Sequence, residues 1–158
     1  MYRVRLWSSR NSGWLTHVYK AWENVLVALH PLLSKIGYQR LDKGFALLEK
    51  PVKGFLFDTQ SCGQCTLGAT GMACPMNCPK NLRNGPCGGV RADSTCEIKP
   101  DMLCVWVSAW EGSRNMHDGE QAIQVIQPPL DGRLRGSSSW LRAARQRVHE
   151  RLGAQDAV

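Results

Sequence analysis

CGQCTLGATGMACPMNCPKNLRNGPCGGVRADSTCEIKPDMLC, residues 62–104, holds all seven cysteines of a 158-residue chain. Their spacing is Cys62-x2-Cys65-x8-Cys74-x3-Cys78-x8-Cys87-x8-Cys96-x7-Cys104. Two thiols two or three residues apart reach one ion or one cluster edge, because a tight turn brings both sulfurs to the same side. Gly63, Gly85, Gly88 and Gly89 permit backbone angles that leave N–H groups aimed at sulfur. A segment so rich in Gly, Pro and Cys has little apolar core of its own. Metal bonds are therefore expected to supply much of its folding free energy.

The cellular setting points the same way. The opening residues MYRVRLWSSRNSGWLTH show no apolar core and no small-residue cleavage site, so they do not read as a secretory signal. No apolar run reaches 18 residues, so no membrane-spanning helix is expected. The protein is expected in the reducing cytoplasm, where clustered thiols ligate metal rather than form disulfides, and an odd number also suits disulfides poorly.

Spacing alone leaves the metal open between iron–sulfur and zinc, since soft thiolates suit both. Cys74-Pro-Met-Asn-Cys78-Pro is similar to the cysteine–proline endings of ferredoxin cluster motifs. Equally, Cys62, Cys65, Cys74 and Cys78 match a four-thiolate zinc site. Cys87, Cys96 and Cys104 then complete a second site with a non-cysteine ligand or serve as structural thiols. His117 is the nearest downstream histidine, and such a residue is more often on the surface. Lys80, Arg83 and Arg91 lie among the cysteines. They either raise a cluster's potential and meet a negative cofactor or partner, or are solvated loop charges. No phosphate loop, GxSxG or HExxH occurs, and no catalytic residue is assigned.

Outward from the cysteines, three segments are expected: a helical arm with an extended lead-in (1–58), the Cys-rich domain (59–111), and a loop followed by a helix (112–158). Trp14, Val18, Trp22, Val25, Leu29, Leu32, Leu33 and Ile36 recur at helical steps, predicting a helix over 14–38. Pro31 should split it near His30, and Gly37 should end it. Its stripe is expected to pack over the core, the sharper alternative being a docking face for another subunit. Residues 45–58, FALLEKPVKGFLFD, read as extended and apolar, broken by Pro51 and Gly54. Residues 112–136 read as loop. Ser137–Ser139 offer N-caps for a last helix from Trp140 to Leu152, which Gly153 ends, with Leu141, Ala144, Val148 and Leu152 as its apolar stripe. The fold class is thus a small irregular α and loop domain, stabilised by metal and flanked by an N-terminal and a C-terminal helix.

The net charge of +7 is uneven. Residues 1–61 carry nine basic and four acidic side chains, while the rest of the chain is close to balance. No tract of five like charges occurs, so an acidic protein partner explains the excess at least as well as nucleic acid does.

Taken together, the residues form a recognisable set. Residues 47–110, with CGQC, CPMNCPK, NGPCGGV, CEI and CVW in order, closely resemble the methylenetetrahydrofolate reductase C-terminal domain family. The later LRGSSSWLR is similar to relatives as well. The resemblance implies an accessory subunit beside a flavin-containing reductase barrel, binding one or two four-iron clusters that relay electrons from a donor protein to the partner's flavin. Family members also resemble zinc fingers, which implies a zinc-stabilised structural or regulatory subunit as the second reading. A basic zinc module that binds nucleic acid is the third. Flavin would sit on the partner only, so the chain alone is expected to catalyse nothing. Many relatives carry a further cysteine three residues before CGQC, where this chain has Thr59, leaving one ligand short of two four-thiolate clusters.

Overall fold

The structure, a computed structural model, describes residues 2–155. Seven α-helices occur among them: α1 Tyr2–Arg10, α2 Ser12–Ala28, α3 His30–Ile36, α4 Tyr38–Phe57, α5 Val105–Arg114, α6 Gly119–Gln124 and α7 Ser139–Gln155. Two 3-10 turns, Pro75–Asn77 and Gly132–Leu134, punctuate the loops. In place of strands, two isolated antiparallel bridges, Val90 with Cys96 and Thr95 with Leu103, tie down the end of the cysteine segment. The chain is therefore helical with a long irregular insert between α4 and α5.

The break in the first long helix falls where Pro31 demands it. Leu29 caps α2, donating its N–H to Val25 O, and α3 restarts at His30 with Pro31 in its first turn, where its missing N–H costs nothing. Gly37 closes α3 at φ +96°. The buried face of α2 is not the predicted one. Trp14, Val18, Trp22, Val25, Leu29, Leu32 and Ile36 are exposed, and of the stripe only Leu33 is buried. Instead Ser12, Leu15, Thr16, Glu23, Leu26 and Val27 turn inward. Polar groups lie on the inner face because each finds a partner there. Ser12 Oγ donates to Gly112 O at 2.6 Å, and Glu23 pairs with Arg147 of α7 at 2.6 Å.

Residues 45–57, read as extended, belong to the 20-residue helix α4 despite Gly44, Pro51 and Gly54. Tertiary packing overrides these breakers. Glu49, Lys53 and Phe57, one helical turn apart, form its buried ridge against α1 and α7, while Leu47, Leu48, Val52 and Phe55 face outward. Asp58 ends it in the left-handed region at φ +53°. Two further expectations are corrected: residues 105–111 are helical rather than irregular, and 112–136 contains α6. Tyr2–Arg10, ahead of the helix expected over 14–38, form α1.

Small residues let α1 and α5 approach closely. Ser9 Oγ donates to Ser108 O at 2.6 Å, and the Gly71 backbone leaves no room for a side chain at Gly112. The α2–α7 contact has an apolar centre of Leu26, Val27 and Ala144 beside the Glu23–Arg147 pair. Burying Leu26 there contributes about 1.5–3 kcal/mol. The last helix starts as its serines suggest, with Ser138 Oγ accepting from Leu141 N at 3.3 Å. It continues through Gly153 to Gln155. Leu141 and Ala144 are buried and Val148 partly so, but Leu152 is exposed.

Candidate metal centre

Three of the seven cysteines line one cavity. Where α4 ends, the chain turns back through Ser61 at φ +48° and Gly63 at φ +76°. Gly63 is required there, since its missing side chain faces the Leu134 carbonyl and Ser137 Oγ. The turn carries Cys62 and Cys65 onto a core cluster formed by Leu15, Phe57, Leu67, Met72, Cys74 and Met76. Cys62, Cys65 and Cys74 line one cavity of about 60 Å³ together with Thr59, Lys53 and Arg83. Burial, followed by the neighbouring Cys65, pushes the Cys74 thiol up to about 12. Cys74 is therefore a neutral thiol at neutral pH, and a metal bound there would have to displace its proton.

Cys74 and Cys78 cap opposite ends of the Pro75–Asn77 turn, which separates their surroundings. Cys74 points into the core, whereas Cys78 is half-buried and absent from the cavity wall. Cys96 and Cys104 are buried further along. Cys104 packs with Ala73, Trp106 and Ala109, so this second locus adjoins the first through the residue preceding Cys74. Half-buried Cys87 opens instead onto an apolar groove walled by Val90, Trp106, Trp110 and Ile123. Trp106 is a core residue whose Nε1 donates to Leu82 O at 3.2 Å, while Trp110 is 46% exposed.

Lys80, Arg83 and Arg91 part company. Arg83 reaches the cavity and donates to Gln64 O at 3.0 Å and to Pro128 O at 2.8 Å, tying a distant loop to the CGQC turn. Lys80 forms an ion pair with Glu97, whose hydrogen bond raises the lysine above its ordinary value, and lies near Cys87. Arg91 is exposed. His117 is on the surface, bonded to Asp118 at 2.6 Å.

Three thiols on one enclosed wall suit a soft metal in donor chemistry. Among the described residues, no three His, Cys, Asp or Glu side chains stand closed up around a common point. The fit is therefore one of donor type alone, with Thr59 on the same cavity wall as the three thiols.

Sequence reasoning passed over the polar residues behind this wall. Lys53 and Glu49, buried side by side, connect it to Ser138 and Ser139 at the start of α7 and to Tyr19 of α2. Burial, then the nearby Cys65, raises the Tyr19 phenol well above its ordinary value, keeping it a hydrogen-bond donor. Two signals were legible, namely the four-residue step from Glu49 to Lys53 and the serine run before Trp140. What joined them was not.

No curated protein and no solved structure matches the chain. A family profile described as methylene-tetrahydrofolate reductase C terminal matches residues 38–133, from the start of α4 to the turn before α7. With well over half of its length matched, and with the cysteine segment and its cavity inside the match, the chain belongs to the methylenetetrahydrofolate reductase C-terminal family.

Proposed function

We propose that the chain is an accessory unit of a flavin-containing methylenetetrahydrofolate reductase, and that its cysteine segment holds an iron–sulfur centre relaying electrons to the partner's flavin. The observation that carries this reading is that Cys62, Cys65 and Cys74, three soft donors, line one cavity within the family-matched segment. A cluster bound there would supply one-electron transfer. The chain's own residues would anchor it through these thiolates, exclude water with Leu67 and Met76, and set a cation, Arg83, on the wall. Cys78, Cys87, Cys96 and Cys104 are left as ligand candidates, in separate surroundings among the described residues.

The face assigned to the reductase is the outer side of α2 and α3. Every carboxylate of residues 2–61 is turned inward or half-buried: Glu23, Asp42, Glu49 and Asp58. The charges left outside are Arg3, Arg10, Lys20, Lys35, Arg40, Lys43 and Lys50. Lys20 and Lys35 lie on α2 and α3 with exposed Trp14, Val18, Val25 and Leu32, and such a basic and apolar face would suit a partner surface that is apolar with an acidic rim.

The test is iron and acid-labile sulfide analysis of protein purified without oxygen, followed by mixing with the reductase barrel. Brown protein that bleaches on reduction and passes electrons to the barrel's flavin supports the proposal. Colourless protein with stoichiometric zinc would replace it with a structural subunit.

A further inference from the structure

A continuous hydrogen-bonded chain runs from the start of α7 through α4 and α2 to one cavity sulfur. Lys53 is 3% exposed, and its ammonium uses all its donors: to Glu49 Oε1 at 2.6 Å, Ser139 Oγ at 2.7 Å and Tyr19 OH at 3.2 Å. It also lies over the rings of Trp140 and Tyr19, 5.1 and 5.3 Å from their centroids. Tyr19 passes its own hydrogen to Cys65 Sγ at 3.5 Å. On the far side Glu49 Oε2 accepts from Ser138 Oγ at 2.7 Å and Trp140 N at 3.3 Å. The pair is thus oriented, with its negative end at α7 and its positive end toward Cys65.

Such an arrangement is costly to bury. Phe and Met would fill the space of Tyr19 and Lys53 without desolvating charge, and replacing a buried ion pair by apolar groups is often neutral or stabilising. The chain ends on a sulfur, which accepts weakly as a neutral thiol and strongly as an anion, because hydrogen bonds to ionised acceptors are roughly twice as strong. A donor chain of this polarity has a purpose when the sulfur is a metal-bound thiolate. We infer that Tyr19 and Lys53 are positioning residues of the metal centre, orienting Cys65 as a ligand and drawing electron density from its sulfur. The inference rests on the metal-site reading of the cavity. Tyr19 and Ser138–Trp140 lie outside residues 38–133, so this support comes from the segments that flank the family match.

The test titrates the full-length metal-free chain with Co²⁺ under anaerobic conditions and follows the thiolate-to-cobalt charge-transfer band. Tyr19→Phe should move the band to longer wavelength, since a sulfur without its hydrogen bond gives up electron density more readily, and should weaken Co²⁺ binding by about tenfold or more. Glu49→Gln/Lys53→Met removes the charges without stranding either one, and should shift the band in the same direction by less. Tyr38→Phe, which breaks a bond to His30 elsewhere, should change neither property. A folded Tyr19→Phe protein with the wild-type band and affinity overturns the inference and leaves the metal centre standing. A band shifted the opposite way in the double variant overturns it equally. Absence of any thiolate band in the wild type overturns the metal reading and this inference with it.

Discussion

Glu49 and Lys53 form an ion pair at 2.6 Å, one turn apart on α4, with both residues under 10% exposed. It lies between the cysteine cavity and the first turn of α7, so damage to it reaches two parts of the fold. Lys53→Met strands a carboxylate beside Ser138 and Ser139 and should cost about 3–5 kcal/mol. Glu49→Gln/Lys53→Met should recover much of that loss. Urea denaturation of the two variants decides it, and equal stabilities would show that no stranded charge is at work.

Cys74 makes the metal-free protein sensitive to alkali. Burial raises its folded-state value to about 12, above the ordinary thiol range, so the unfolded chain releases its proton first as pH rises. Stability is at its full level below pH ~9 and should fall by up to ~1.4 kcal/mol per pH unit between there and the folded value. Denaturation curves from pH 8 to 10.5 should show this slope in the wild type and a shallower one in Cys74→Ala.

Thr59 occupies the cavity wall beside the three thiols. Thr59→Cys adds a fourth soft donor without changing the turn, and should raise iron and sulfide content and slow metal loss to a chelator. Unchanged metal content in Thr59→Cys would show that the fourth position lies elsewhere.

The outer face of α2 and α3 can be altered without touching the core. Val18 and Leu32 are 55% and 54% exposed. Val18→Glu and Leu32→Glu should leave stability within about 0.5 kcal/mol of the wild type and abolish association with the reductase barrel. Retained association in gel filtration would move the interface to the Trp110 side.

What is legible in the chain and what is not divides along the range of the interactions involved. Family membership, the break at Pro31, the stop at Gly37 and the serine cap of α7 are legible. Each rests on motif identity or on backbone limits acting within a turn or two. The orientation of α2 was not, because apolar spacing marks a stripe without saying which way it faces. Here long-range bonds decide. Ser12 finds Gly112 a hundred residues away, Glu23 finds Arg147, and the tryptophan stripe is left outside. α4 is helical for the same reason, its Pro and Gly overruled by a buried ridge that exists only once α1 and α7 are packed against it. The cysteines show the division most plainly. Sequence identified all seven as ligand candidates, but spacing along an irregular segment cannot say which of them share a cavity. The turn at Gly63, the burial of Cys74 and the 3-10 turn that parts it from Cys78 decided that. The polar chain from Ser139 to Cys65 joins residues far apart in sequence, and only their packing brings it into being.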